Sequence, residues 1–168
     1  MTRKFRTRLN IVAAVVAALG FVSVAAEPSS ADTSIKVSSN CDVAGQVCTG
    51  DLYMNYHSVA KSGEENPTGS FASFYGDVPD QAGTALYEGA NLVQYEYVFA
   101  SGLGDGSGIA VKNDAASADD CSDVDGYRVY YNSGYAGHSQ AIPHYYGCAA
   151  STNLDSTLKN ENASSHFA

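Results

Sequence analysis

Residues 111–117 read Val-Lys-Asn-Asp-Ala-Ala-Ser, and residues 158–164 read Leu-Lys-Asn-Glu-Asn-Ala-Ser. The two segments match position for position at a constant offset of 47. A weaker echo lies upstream, where Tyr56-His57-Ser58 is similar to the segment 130–133, Tyr-Tyr-Asn-Ser. A repeat at a fixed period indicates two copies of one unit. The first copy is longer, as if the segments 61–70 and 76–92 had been inserted.

Alternating apolar residues predict that this unit is built from β-strands. The strongest signal is residues 91–99, where every second side chain is apolar or aromatic. A turn of helix is predicted within 80–91, around Ala82, Ala85 and Leu86. Because no long helical periodicity occurs, the chain is predicted to be mainly β. The other predicted elements are an edge strand at Ile35 and Val37, strands at 50–56, 71–75 and from 129, a glycine-rich connection at 101–108, and turn residues Asn132, Ser133, Gly134 and Gly137.

The first 31 residues have the composition of a secretory signal peptide. Four basic residues precede an uncharged Val- and Ala-rich run that ends in small residues, with cleavage expected after Ala26 or Ala31. The apolar run is short for a membrane span, so we expect a secreted protein with no membrane anchor after cleavage. The remaining chain carries 5 basic and 17 acidic residues, a formal charge of −12. This balance argues against a nucleic-acid partner.

All four cysteines, Cys41, Cys48, Cys121 and Cys148, lie after the signal. In an oxidising compartment they predict two disulfides. Three pairings are possible, and Cys41 with Cys48 and Cys121 with Cys148 is favoured because each bridge then lies within one half of the chain. The spacing does not match a zinc site, and the four histidines are scattered.

The repeated loop combines side-chain carboxylates, amides and hydroxyls. These are hard oxygen donors, which suit Ca²⁺ better than zinc or copper. The same residue types also close turns by bonding to their own backbone, so both interpretations stay open on spacing alone.

Taken together, these segments resemble the βγ-crystallin superfamily. The segment 130–137, Tyr-Tyr-Asn-Ser-Gly-Tyr-Ala-Gly, is similar to its folded hairpin, and the two repeated loops are similar to its calcium loop. With an export signal and a cysteine pair near the mature N-terminus, the chain resembles the secreted bacterial proteins grouped with microbial metalloproteinase inhibitors. Ala118 and Glu161 depart from the calcium pattern.

The resemblance implies a Greek key β-sandwich over residues 41–168, after a polar leader at 32–40. Its first motif would span about 41–118 and its second about 121–168. In that superfamily paired motifs share ligands, so each loop would complete the site of the other. The calcium positions that it implies are Asn113, Asp114, Ser117, Asn160, Glu161, Ser164 and Ser165.

Three classes of function follow. The first is a proteinase inhibitor acting on an extracellular protease, with a disulfide-held loop near Cys48, at 61–70 or near Cys121 in the protease cleft; no motif marks the reactive bond. The second is a calcium-binding structural or binding module without inhibitory activity. An enzyme is not expected, because Gly106-Ser107-Gly108 lacks the spacing of a nucleophile elbow. A monomer is expected.

Overall fold

The computed structural model describes residues 33–124 and 126–167. This part of the chain is all-β: it contains ten strands, two short 3₁₀ turns at Asn40–Asp42 and Tyr146–Cys148, and no α-helix. The predicted signal peptide at 1–31 lies outside the described residues. The strands are β1 (Thr33–Val37), β2 (Leu52–Asn55), β3 (Phe71–Phe74), β4 (Gly83–Glu88), β5 (Asn91–Tyr97), β6 (Ser117–Asp120), β7 (Tyr127–Asn132), β8 (Ala136–Ile142), β9 (Thr152–Asn153) and β10 (Ser164–Phe167).

The strands form three sheets. The first sheet has the order β3-β2-β6-β9 and the second has the order β8-β7-β10, and all their pairings are antiparallel. The third sheet has the order β1-β5-β4, in which β1 runs parallel to β5. The predicted strand at Ile35 and Val37 is therefore confirmed as an edge strand.

The first two sheets repeat the same pairing pattern. In the first, Asn55 of β2 faces Ser117, where β6 begins; in the second, Tyr130 of β7 faces Ser164, where β10 begins. The strands β6 and β10 are thus separated by the offset of 47 that relates the two sequence segments. Each sheet is also contacted from the other half of the chain, the first by a short strand and the second by a single bridge. Ala118 of β6 faces Thr152 of β9, and the equivalent residue of β10 forms an isolated bridge with Val78, which follows β3.

The segment between Val78 and β6 contains the hairpin β4–β5, which belongs to the third sheet. The helical turn predicted within 80–91 is wrong, because Gly83–Glu88 is a strand that pairs along its whole length with β5. The apolar residues at 82, 85 and 86 fit a helical period over one turn only. Cross-strand hydrogen bonds to the strongly alternating β5 outweigh so short a pattern.

Two of the four predicted turn residues, Asn132 and Gly137, lie in strands instead. Asn132 ends β7, and Gly137 lies in β8 with a φ of +79°, next to a register shift at which Asn132 faces Ala136. A Cβ at this position would lie 2.7 Å from the Asn132 amide nitrogen. The bulge therefore requires glycine on both conformational and steric grounds.

The apolar core draws side chains from all three sheets. Along β2, Leu52 and Met54 are fully buried, as the alternation predicts. The rings of Phe74 in the first sheet and Tyr97 in the third meet edge to face, with centroids 5.2 Å apart. Each fully buried large apolar side chain contributes roughly 1.5 to 3 kcal/mol to folding. The inserted hairpin is therefore packed into the same core as the repeated sheets.

The favoured cysteine pairing is confirmed. Cys41 bonds to Cys48, and Cys121 bonds to Cys148. The first bond closes a short ring before β2, and the second joins the end of β6 to the 3₁₀ turn before β9. No free cysteine occurs among the residues that the structure describes.

Candidate functional site

The two segments of the sequence repeat, which we call the first repeat loop (111–117) and the second repeat loop (158–164), lie side by side. The backbone N–H of Asn113 donates to the carbonyl of Asn162, and the N–H of Asn160 donates to the carbonyl of Ala115, both at 2.8 Å. Asn113 and Asn160 are equivalent positions, as are Ala115 and Asn162. The two hydrogen bonds are therefore related by an approximate twofold axis.

The repeated asparagines have a backbone role. Asn113 has a φ of +66° and Asn160 a φ of +59°, and both side chains are exposed. Left-handed conformations are unfavourable for most residues, and asparagine tolerates them best after glycine. Both copies therefore have asparagine here because the backbone must turn sharply for its N–H to reach the opposite loop.

The predicted serines attach each loop to a neighbouring hairpin. Ser117 Oγ donates to the His57 carbonyl, and Ser164 Oγ donates to the Asn132 carbonyl, both at 2.7 Å. Both serines are fully buried, as is Ser165, whose Oγ accepts from the Gln81 amide at 3.3 Å. These three hydroxyls therefore already make hydrogen bonds within the fold.

Asn162, which the sequence pattern treats as a variable position, is the polar centre of the paired loops. Its side chain is fully buried, and its carbonyl oxygen accepts the N–H of Ala115 at 3.0 Å. Its amide nitrogen donates to the Val111 carbonyl at 2.9 Å and to the Gln81 side chain at 2.7 Å. One residue of the second loop thus satisfies two backbone groups of the first loop.

An open cavity of about 430 Å³ lies where the first repeat loop meets the hairpin after β2. Asp114 is half-buried in its wall, and burial raises the pKa of this carboxyl. The buried Ser58 hydroxyl, also in the wall, has no hydrogen-bond partner within the described structure. The complete lining is Tyr56, His57, Ser58, Asp114, Ala116, Lys159 and Asn160. The lining includes the Asp114 carboxylate, the Ser58 hydroxyl and the Asn160 amide oxygen, a donor set that suits a hard cation such as Ca²⁺, together with the Lys159 ammonium.

The equivalent position in the second half is filled by an ammonium group. Ser133 corresponds to Ser58, since each lies three residues after its paired β-strand residue. The Ser133 hydroxyl lies 2.8 Å from Lys112 Nζ, which also forms an ion pair with Asp80 at 3.0 Å. Lys159, the equivalent of Lys112, lines the first cavity. Each of the two related positions has one acid and one lysine, and they differ in how the lysine is held: Lys112 bonds to Ser133 and Asp80, whereas the Lys159 ammonium makes no ion pair within the described structure.

The structure brings some of the predicted calcium residues together and separates others. Asp114 and Asn160 line the first cavity, and Ser117 lies against it through the His57 carbonyl. Asn113 and Glu161 occupy the equivalent places on the second side, where both side chains are exposed. Among the described residues, no group of three or more His, Cys, Asp or Glu side chains is close enough to hold a metal. A calcium site here would depend on Ser, Asn and backbone oxygens.

Sequence reasoning identified the loops but did not assign roles to Ser58 and Lys112. The sequence does contain a signal for Ser58. The segments 56–58 and 131–133 both read Tyr-x-Ser, and they place Ser58 and Ser133 at equivalent positions after β2 and β7. The role of Lys112 has no such signal, since the repeat contains Lys at both positions. The two lysines differ because Lys112 lies next to Asp80, which belongs to the segment after β3.

Comparison of the chain with protein-family models, with curated proteins and with solved structures finds no match. No helix in the described part of the chain is both long and apolar enough to cross a membrane. The βγ-crystallin resemblance is therefore carried by the residues of this chain alone.

Replacing Asn162 with Ala should destabilise the protein by about 3 to 5 kcal/mol, because three buried polar partners lose their hydrogen bonds at once. Chemical denaturation followed by tyrosine fluorescence measures the change. The control is Asn160→Gly, which keeps the left-handed turn and should change stability by less than about 0.5 kcal/mol. Equal stabilities of the two variants would contradict this role for Asn162.

The turn that leads into the second repeat loop is capped by Asp155. Its Oδ1 accepts the N–H groups of Thr157 at 2.9 Å and Leu158 at 3.1 Å, and its Oδ2 lies 2.6 Å from His138 Nε2. The hydrogen bond with His138 is the main cause that lowers the pKa of Asp155 below its ordinary value of 3.8. The folded state therefore favours the carboxylate. Its stabilising contribution is complete above the unfolded pKa and is lost as the pH falls through the lower folded pKa.

Asp155→Ala should therefore lower the free energy of unfolding by about 1 kcal/mol at pH 7, the usual effect of losing a cap. The difference from the unmutated protein should shrink below about pH 3.8, where the unfolded carboxyl becomes protonated. Urea denaturation across pH 2.5 to 7 tests both expectations. The matched control is Asp105→Ala, which removes an 85% exposed carboxylate near His57. A pH-independent difference for Asp155→Ala would refute the electrostatic part of the explanation.

Proposed function

We propose that this chain is a secreted, non-enzymatic βγ-crystallin-like protein of two Greek key motifs that acts as a proteinase inhibitor. The Greek key assignment is supported by the order of the strands. Each of the first two sheets pairs two hairpin strands with the strand that ends its motif. The first also receives the short strand β9 from the other motif, and the second receives a single bridge at Val78. The disulfides Cys41–Cys48 and Cys121–Cys148 are consistent with an extracellular location.

Calcium would stabilise this domain through one site only, the cavity beside Asp114. Asp114 and Asn160 of the repeat loops and the unpartnered Ser58 hydroxyl of the hairpin would supply oxygen atoms from two elements that are distant in sequence. When bound, the ion supplies a positive charge that attracts these oxygens and thereby links the hairpin to the repeat loops. At the related position the Lys112 ammonium already performs this linking, because it joins Ser133 to Asp80. The asymmetry supports a stoichiometry of one ion per chain.

Isothermal titration with CaCl₂ should therefore give one site in the unmutated protein and none in Asp114→Asn, while Glu161→Gln should retain it. Lys112→Met should raise the stoichiometry to two, because it frees the Ser133 and Asp80 oxygens. Its matched control is Lys159→Met, the equivalent residue, which should leave one site. Ca²⁺ at a hundred times its Kd should raise the free energy of unfolding by about 2.7 kcal/mol. Binding that persists in Asp114→Asn would place calcium elsewhere.

The inhibitory role is supported by the ring that the Cys41–Cys48 disulfide closes. Val47 lies within this ring and is 99% exposed, although it is an apolar residue. The ring is firmly attached to the core: Val43 is buried, and the Asn40 side chain makes two 2.8 Å hydrogen bonds with the backbone of Tyr75. A protruding apolar side chain on a fixed loop loses little conformational entropy when it enters a protease cleft.

The loop at 61–70 is less suited to this role because it has no large exposed apolar side chain that could enter a cleft. The Glu65 carboxylate accepts the N–H groups of Ala60 and Lys61, at 2.8 and 3.2 Å. The backbone of Ser151 forms hydrogen bonds with Gly63 and Glu65, both at 2.9 Å. The segment after Cys121 keeps one candidate, Val124, which is 88% exposed. These features favour the Cys41–Cys48 ring and the segment after Cys121 over the loop at 61–70.

The purified, disulfide-bonded protein should be titrated against a thermolysin-like metalloprotease and a subtilisin-like serine protease at fixed calcium. We expect stoichiometric loss of the metalloprotease activity. Val47→Asp should weaken inhibition at least a hundredfold, since a charge cannot enter an apolar subsite without losing its hydration. Val124→Asp is the matched control and should inhibit like the unmutated protein.

If Val124→Asp weakened inhibition and Val47→Asp did not, the reactive bond would lie in the segment after Cys121. Full activity of both proteases in the presence of excess protein would contradict the inhibitory role. The function would then be that of a calcium-stabilised extracellular binding or structural module, for which the calcium titration is the direct evidence.

A further inference from the structure

A second cavity, of about 590 Å³, lies on the face of the first sheet that points away from the core. Tyr53 and Asp119 face each other across β2 and β6, and Asn55 and Phe71 face each other across β2 and β3. All four side chains therefore project from the same face, whereas Leu52 and Met54 project into the core. We call this cavity the Asp119 groove; it is completed by Asn66, Pro67, Thr68, Gly69 and Cys148.

The wall of the groove contains a buried carboxylate without a cation. Asp119 is only 7% exposed, and one of its oxygens has no hydrogen-bond partner in the described structure. The other accepts the Asn55 amide at 3.2 Å, and that amide also donates to Ser151. No Lys or Arg of the described residues forms an ion pair with Asp119. Burial raises the pKa of this carboxyl, so the ionised form is held at a cost in the free protein.

The upper wall of the groove is aromatic. The rings of Tyr53 and Phe71 lie 5.3 Å apart and are tilted by 51°. Phe71 is 36% exposed, and Pro67 lies in the same wall. Aromatic faces attract cations, and most strongly the planar guanidinium group, which can stack on them.

We propose that the Asp119 groove binds an arginine side chain of a basic protein partner. The carboxylate provides an ionic acceptor and the two rings provide a stacking surface, the combination that a guanidinium group uses. Charge complementarity favours such a partner, because residues 32–168 contain 17 acidic and 5 basic side chains. This binding site is separate from the Val47 ring and from the calcium cavity, so it does not depend on either.

The proposal implies that Asp119 opposes folding and supports binding. An unpaired buried carboxylate destabilises the free protein, and an arginine in the groove relieves this by pairing with it. Asp119→Asn removes the charge and keeps the shape. It should raise the Tm of the free protein by about 2 to 4 °C and at the same time abolish binding. A side chain with a purely structural role would lower the Tm when replaced.

The probe is the peptide acetyl-Gly-Arg-Gly-amide, titrated into ¹⁵N-labelled, disulfide-bonded protein. We expect chemical-shift changes at residues of the groove, with a Kd in the millimolar range that rises at least tenfold for the citrulline peptide, which has the same shape without the charge. Asp119→Asn should raise the Kd at least tenfold. Phe71→Ala, at the exposed wall, should raise it about threefold or more and keeps the test valid if the Asp119 variant does not fold.

The matched control for the carboxylate is Asp42→Asn, which neutralises an exposed acid in the Cys41–Cys48 ring and should leave the Kd unchanged. Equal affinity for the arginine and citrulline peptides, or equal affinity of the unmutated and Asp119→Asn proteins, would overturn the proposal. Shifts at the groove with methyl glycosides and none with the arginine peptide would also overturn it and assign the groove to a carbohydrate.

Discussion

The reciprocal pairing of the two repeat loops is the contact on which the rest of the structure depends. Asn113 and Asn160 each turn through a left-handed conformation and donate to the other loop, and Asn162 fills the space between them. Because β6 and β10 begin directly after these loops, the same contact fixes where each strand enters its sheet. The loops therefore set the register of both repeated sheets.

The paired loops are alike in backbone and different in side chains. The N–H groups of Asn113 and Asn160 make equivalent bonds, whereas the buried Asn162 side chain bonds to the first loop from a position where that loop has Ala115. The first half has an open cavity with Asp114 and Lys159 in its wall. At the related place in the second half, Lys112 bonds to Ser133 and Asp80. The two sites therefore share a twofold backbone and differ in how their lysine is bonded.

Exposed apolar and buried charged residues are the other departures from an ordinary small β-domain. Val47 is fully exposed to solvent, and the Asp119 carboxylate is buried without a cationic partner. Both arrangements oppose stability, and both lie on a rigid framework provided by a disulfide or by paired strands. Groups that oppose folding are expected where a protein binds something else, because binding then removes the unfavourable exposure or charge.

Much of the fold follows from local sequence. The alternation at 91–99 predicts β5, and the apolar residues at 52 and 54 predict the inner face of β2. The residues after Gly83 could not be assigned in this way, because their strand forms only against β5. The sequence also predicts that the loops at 111–117 and 158–164 form a site. It does not reveal that Ser58 faces one cavity and that Lys112 fills the other.

The sequence by itself determined the β class and the repeat with its offset of 47, and it favoured one of three cysteine pairings. The β class follows from alternation between neighbouring residues, and the repeat is read directly from the chain. The tertiary structure alone decided that β9 pairs with β6, where the β4–β5 hairpin packs and which acids lack a cation. Those outcomes depend on contacts between residues distant in the chain, such as Asp80 with Lys112 and Asn55 with Asp119. No local pattern predicts such contacts, because only the folded chain brings these groups within hydrogen-bonding distance.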